Sequence, residues 1–318
     1  MISKMNDQRY IAALDVGGTK AYAAVVRIDG TIVDSCIAPG ITPLDTDINE
    51  CERSYLSLLR RLFEHAGVAI DALYCSIATE EYFGTEVYDY LRAHLDTPIL
   101  RVEGDGPCLI SGMLGHHDGA CMICGTGSSL YIRKGDDYHR LGGWGHLIDS
   151  CGSGYVLGRL AIQAAERAAD HRGEATLLSE ILEKKCGRPI CDEFVTIYQK
   201  GRPYIASFAT AVFEARRRGD AVARRIFNLC ASELADVIWS AYEELGSGFS
   251  IVFNGGIFSH FPEYRDAVKA LAPRDICVVY SDVPPVYGCV VEAMYDIGLA
   301  CDASFKENFL HSYQEQSF

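Results

Sequence analysis

One pattern recurs in this chain and constrains its fold more than any other: an apolar strand, a turn of small residues, and a second strand. It appears first where the apolar run 10–16 meets Gly17-Gly18 and is followed by the run 21–28. It returns where the apolar run starting at Gly119 meets Gly125-Thr126-Gly127-Ser128 and continues as 130–133. Glycine lets backbone amides converge with no side chain in the way, so each turn is suited to an anion. Two copies of one hairpin predict two related domains with one hairpin in each.

The rest of the pattern agrees. At 318 residues the chain is long enough for two packed domains with a cleft between them. Asp29-Gly30 predicts a tight hairpin after the second strand. Ile48, Cys51, Tyr55, Leu58, Leu59 and Leu62 recur at helical spacing, and Gly67 stands where that helix ends. A strand over 73–77, a helix around 87–95, a strand over 98–102 and a turn at 103–106 follow. After the second hairpin, a helix-rich stretch spans 152–245 before a strand over 249–253. Alternating strands and helices predict an α/β architecture.

Charge and composition exclude several roles. The net charge of -14 repels phosphate backbones, and the one basic cluster, Arg216-Arg217-Arg218, reads as a helix end before Gly219-Asp220. Nucleic acid is therefore not an expected partner. No apolar run approaches the roughly 18 residues of a membrane span, and the polar start lacks the apolar stretch of a signal peptide. Neither membrane association nor export is expected, and residence in the cytoplasm is. Thirteen cysteines then read as reduced thiols. Cys121 and Cys124 sit three apart in a predicted strand, where they face opposite ways and cannot clamp one metal.

Four segments carry the candidate chemistry. Asp15-Val16-Gly17-Gly18-Thr19-Lys20 joins two strands; it opens no helix with Gly-Lys-Ser/Thr and is not a Gly-x-Gly-x-x-Gly fingerprint. Asp15, at a strand end, is placed to hold Mg2+ through water. Taken alone, this turn fits a phosphate site and a plain hairpin equally well. Asp105, in the turn before a predicted helix, fits a helix cap. Gly142-Gly143-Trp144-Gly145-His146 sets an aromatic ring beside bare backbone, for stacking on a ligand ring or for packing; His146 reads as structural. Asn254-Gly255-Gly256 breaks a strand with a glycine pair.

Together these segments resemble the motifs of N-acetylglucosamine kinases and the related BadF/BadG/BcrA/BcrD-type ATPases. Ile205-Ala206-Ser207-Phe208-Ala209, Gly219-Asp220-Ala221, Pro285 and Gly288 extend the resemblance over almost the whole chain, in the expected order. It implies two ribonuclease-H-like domains of the actin-like ATPase kind, 1–117 and 118–318, the second with a helical insertion. It implies ATP and Mg2+ as cofactors, a small sugar as acceptor and a homodimer. ATP phosphates would meet Gly17, Gly18, Thr19, Gly125, Thr126, Gly127 and Ser128, with Lys20 adding charge. Gly255 and Gly256 would border the adenosine, and Asp105 would be the catalytic base. Gly143, Trp144, Gly145, Asp149 and Ser150 would line the acceptor.

The acceptor side departs from the family pattern. Where the family reads Gly-Asp-Glu-Gly-Ser, this chain reads Asp149-Ser150-Cys151-Gly152-Ser153, so a carboxylate becomes Ser150. The region after Gly40 reads Pro43-Leu44-Asp45 and lacks the family's asparagine. N-acetylglucosamine or a related amino sugar is the expected acceptor. An ATPase acting on a partner protein and a catalytically weak sugar or nucleotide sensor are the competing expectations.

Overall fold

The structure is a computed structural model that describes residues 8–18, 20–43, 46–78 and 83–316. Thr19, Leu44 and Asp45, named above, lie outside the described residues. Two compact units are present: 1–117 joined by 281–318, and 118–280.

The first unit is built on β1 (Tyr10–Val16), β2 (Lys20–Arg27), β3 (Ile32–Pro39), β4 (Ala72–Ile77) and β5 (Ile99–Glu103), in the order β3-β2-β1-β4-β5. The first three run antiparallel, and β4 and β5 continue parallel to β1. Helix α1 (Ile48–Ala66) starts where Asp47 accepts from the Asn49 amide and stops at Gly67, left-handed at φ 63°. It buries Cys51, Tyr55, Leu58, Leu59 and Leu62 beside Ala12, Leu14 and Val16 of β1. Each large apolar side chain buried there stabilises the unit by about 1.5–3 kcal/mol. Helix α2 (Glu86–His94) precedes β5, and α3 (Asp105–Leu114) follows it.

The second unit repeats this plan. Strands β6 (Gly119–Cys124), β7 (Ser128–Lys134) and β8 (Asp137–Leu141) form an antiparallel meander, and β9 (Ser250–Asn254) and β10 (Cys277–Tyr280) extend it in parallel, in the order β10-β9-β6-β7-β8. With the strands of each unit taken in chain order, this is the arrangement of the first sheet. The duplication suspected from two turns is thus a duplication of whole sheets. Strand β8 was not anticipated: its sequence, Asp-Tyr-His-Arg-Leu, is polar because it is an edge strand, paired with β7 alone and open on the other side.

Between β8 and β9 come α4 (Gly154–Ala169), α5 (Leu177–Cys186), α6 (Phe194–Ser207), α7 (Ala209–Arg217) and α8 (Ala221–Leu245). They share one core with β6, β7 and β9. Helices α9 (Gly256–His260) and α10 (Pro262–Leu271) lead to β10. Cys121 and Cys124 are buried on β6, and only Cys124 belongs to the core shared with the insertion.

The segment 281–318, expected in the second domain, lies in the first unit, as α11 (Pro285–Asp296) and α12 (Ala303–Glu315). Helix α11 packs on α3, β1 and β4, and its fully buried Glu292 pairs with Arg101 of β5 and accepts from Ser111 of α3. At α12, the Ile32 amide donates to Ser312 Oγ over 3.0 Å. The chain therefore returns to pack helices against its first sheet, a long-range closure that local patterning does not encode.

Candidate functional site

In the first unit the candidate residues gather where β1 ends and α3 begins. Gly17 N donates to Lys20 O over 3.0 Å, which closes the turn, and the Gly18 amide donates to no group among the described residues. Asp15, half-buried at the end of β1, feels the charge of Asp105 at the first position of α3. Burial raises the Asp15 carboxyl from 3.8 to about 7; Asp105 adds to the rise and Lys20 opposes it. The two carboxylates are hard oxygen donors of the kind a cation seeks, while the open amide of Gly18 suits an anion.

Asp105 does not cap its helix. The N-cap is Gly104, and no side chain makes the cap hydrogen bond. The capping reading of Asp105 is therefore set aside, and its carboxylate stands in the first turn of α3.

The Asp15 shift has a consequence for stability. A carboxyl raised in the folded state holds its proton there after the unfolded chain has lost it, so stability falls as pH rises from 3.8 towards about 7 and is level above. Asp15→Asn is expected to match wild type near pH 4. At pH 8 it should be more stable by about 1–2 kcal/mol, allowing for solvent screening. Urea midpoints of nucleotide-free protein at the two pH values check this; equal midpoints at pH 8 would refute it.

In the second unit the turn 125–128 is enclosed by its own fold. Gly125 N donates to Gly127 O, Gly154 N to Gly125 O, and Tyr155 N to Thr126 O, at 2.8, 2.8 and 3.0 Å. The carbonyls of the turn are thus engaged inward. Among the described residues the Thr126 and Gly127 amides donate to no protein group. The loop after β8 packs on this turn. A methyl group on Gly143, at φ 72°, would lie 2.4 Å from Ser128 O, so only glycine allows the approach. Ser128 Oγ in turn donates to the Cys151 carbonyl.

Trp144 is 54% exposed and carries the Arg140 guanidinium 4.4 Å from its ring centre, so it is not packed in the core. Gly145 accepts from the Ile148 and Asp149 amides and so closes the loop tip. His146 meets Tyr155 edge-on at 5.0 Å. Asp149 is turned into the loop: one oxygen accepts from Gly143 N at 3.0 Å and the other from Cys151 Sγ at 2.7 Å. Burial, then the Asp149 hydrogen bond and charge, push the Cys151 thiol up to about 12, which keeps it neutral. Ser150 is buried and shares a 2.8 Å hydrogen bond with Ser153, the N-cap of α4. Glu233 of α8, which the sequence did not single out, fastens the loop by accepting from Gly152 N at 3.0 Å. Arg202, also unnoticed, lies on α6 with its Nη2 3.0 Å from where a Gly127 methyl would sit.

The glycine pair after β9 has a steric cause as well. Gly255 adopts φ 107°, and a methyl there would lie 2.4 Å from Cys124 O, so β9 ends in backbone contact with the hairpin strand. A methyl on Gly256 would meet only His260, at 3.9 Å. The pair therefore opens surface directly beside the phosphate-type turn.

Residues 14–293 match the model of the BadF/BadG/BcrA/BcrD ATPase family. The chain is 30% identical over 303 residues to an N-acetylmuramic acid/N-acetylglucosamine kinase of Clostridium acetobutylicum, covering 90% of this chain and 98% of that protein. A candidate N-acetylglucosamine kinase from Chromobacterium violaceum has a similar fold, with a TM-score of 0.70 at 20% identity, over 89% of this chain and 98% of the other. A ROK family glucokinase from Streptomyces griseus, solved with glucose and AMPPNP, follows at 0.56 and 18%, over 90% and 98%. The two five-stranded sheets are those of the two-domain, actin-like ATPase fold of sugar kinases. With its family model matched over most of its length, the chain belongs to the BadF/BadG/BcrA/BcrD ATPase family.

Proposed function

We propose that this protein is an ATP-dependent kinase that phosphorylates a hydroxyl of a small sugar, N-acetylglucosamine or a related amino sugar. The observation that carries the reading is the placement of Asp15 and Asp105 at the carboxyl ends of the parallel strands β1 and β5 of one sheet, beside the first turn. Phosphoryl transfer asks a protein for little covalent chemistry, so positioning and charge neutralisation dominate. Asp105 is the group that accepts the acceptor hydroxyl's proton as its oxygen bonds to the γ-phosphorus and ADP departs. Asp15 would hold Mg2+ through water, with Asp105 nearby, and the ion would neutralise charge on the phosphates. Hard carboxylate oxygens fit that ion, since Mg2+ is commonly held by one or two carboxylates and completed by waters and phosphates.

In this reading Gly17, Gly18, Thr19 and Lys20 are phosphate-contact residues. So are Gly125, Thr126, Gly127 and Ser128, with Gly255 and Gly256 for the adenosine. Gly143, Trp144 and Gly145 serve the acceptor, and Asp149 and Ser150 support that loop from within. The named kinase from Clostridium acetobutylicum, similar over almost its whole length, supports the sugar class. A homodimer in the cytoplasm accompanies this reading.

Coupled ADP release over a panel of N-acetylated and plain hexoses tests it. Turnover on an amino sugar is expected, and no turnover on any sugar would refute the kinase reading. A sensor that binds without transferring phosphate is the second reading, favoured by Asp149 being occupied within its own loop. Calorimetric binding of ATP and sugar with no ADP formed would select it.

A further inference from the structure

The second unit holds a cation that the reading above does not use. Arg202 sits on α6, where the helix is broken by Gly201 (φ 61°, ψ -149°) and restarts at Pro203. Proline has no amide to continue a helix but fits the first turn of a new one, and glycine takes the positive φ without strain. The break gives Arg202 a direction that a continuous helix would not.

That direction is towards the turn 125–128. A methyl group on Gly127 would meet Arg202 Nη2 at 3.0 Å and Ser150 Oγ at 4.0 Å, so the guanidinium and the hydroxyl border the same space above this glycine. Arg202 Nε is buried and has no hydrogen-bond partner, and no carboxylate among the described residues pairs with the guanidinium. Leaving a buried donor of a charged group unpaired costs free energy, so such groups are normally matched. The amides of Thr126 and Gly127, also without protein acceptors, belong to the same turn. Fixed N–H donors and a planar guanidinium match the oxygens of a polyphosphate.

We propose that Arg202 is a phosphate-binding residue, supplied from the helical insertion to the β- and γ-phosphates held at the turn 125–128. The assignment rests on the reading of that turn as an ATP site. Ser150 has a part in it: a carboxylate at this position would stand within reach of Arg202 and compete for it, whereas a hydroxyl leaves the charge for the nucleotide.

Titration calorimetry with ATP, ADP and AMP, on wild type, Arg202→Met and Arg202→Lys with Mg2+ present, tests this. Arg202→Met keeps most of the side-chain stem and removes the charge. It is expected to weaken ATP and ADP by about ten-fold or more and AMP by less than about two-fold, with Arg202→Lys intermediate for lack of the bidentate fork. The ratio of ATP to AMP affinity separates a phosphate contact from a purely structural role, which would weaken all three alike. ATP affinity in Arg202→Met within two-fold of wild type, or equal losses for ATP and AMP, would overturn the proposal. Failure of wild type itself to bind ATP would remove the nucleotide site along with it. If Arg202→Met does not fold, by circular dichroism, Arg202→Lys carries the same comparison: its ATP to AMP ratio falls if the proposal holds and stays unchanged if it does not.

Discussion

Replacing Asp105 with asparagine should lower kcat by about 10²–10⁴-fold while leaving the protein folded and the KM for ATP within a few-fold of wild type. Asparagine keeps the size of the side chain but cannot accept the acceptor's proton, and removal of a positioned general base has an effect of that order. Stability should change little, because the cap of α3 is Gly104 and not Asp105. The small loss of a favourable helix-dipole contact, about 0.5 kcal/mol, is offset by relief of the repulsion on Asp15. Steady-state kinetics and a thermal melt on one preparation check both halves. Turnover within ten-fold of wild type would remove Asp105 from the chemistry. A melting loss as large as the activity loss would return it to a structural role.

The second large effect belongs to a residue with no place in the chemistry. Gly288 of α11 lies against α3 so closely that a methyl group there would stand 1.7 Å from the Cys108 carbonyl oxygen and 2.5 Å from its carbon. Backbone cannot yield as a side-chain end can, so Gly288→Ala should force α3 and α11 apart. The expected cost is about 3 kcal/mol or more, at the upper end for overpacking, and appears as a fall of roughly 6–12 °C in the melting midpoint of this unit. Helix α3 begins with Asp105, so activity should fall as well, since a shift near 1 Å at a reacting group costs about 10²-fold. Gly112, on the facing helix, is the control: a methyl there would stand 3.4 Å from Gly288 Cα and from Val283 Cγ2, a tight but adjustable contact. Gly112→Ala should be much milder. Equal effects of the two substitutions would show that the helix crossing is softer than the geometry implies.

Gly288 also illustrates what could be read from the chain and what could not. In the sequence it stands only among the residues that extend the family resemblance. Its cause is a partner far away in sequence, the Cys108 carbonyl, which no local pattern reveals. The same applies to the first-unit residence of 281–318, which follows from α11 lying on β1, β4 and α3. Strand β8 escaped because a one-sided edge strand keeps polar residues and so lacks the apolar signature. The loop after β8 was legible as unusual, with its three glycines and Trp144. The inward turn of Asp149 onto Gly143 and Cys151 was not legible, because adjacent residues in a loop do not declare which way they face.

By itself the sequence determined the elements whose causes are local. Two glycine turns between apolar strands, helix stripes at regular spacing, and Asp47 and Gly67 bounding α1 all follow from backbone freedom and side-chain period. Those features were enough for an α/β fold with a repeated hairpin, and for turns able to meet an anion. Tertiary structure alone decided which charges share a site. Asp15 and Asp105 stand near each other because parallel strands bring the end of β1 and the start of α3 to one edge of the sheet, and burial, with the charge of Asp105 adding to it, raises the Asp15 carboxyl towards 7. Arg202 came to face Gly127 because a break at Gly201 turns α6. Turn chemistry acts over a few residues, whereas Coulombic coupling and close packing act between segments that only folding brings together.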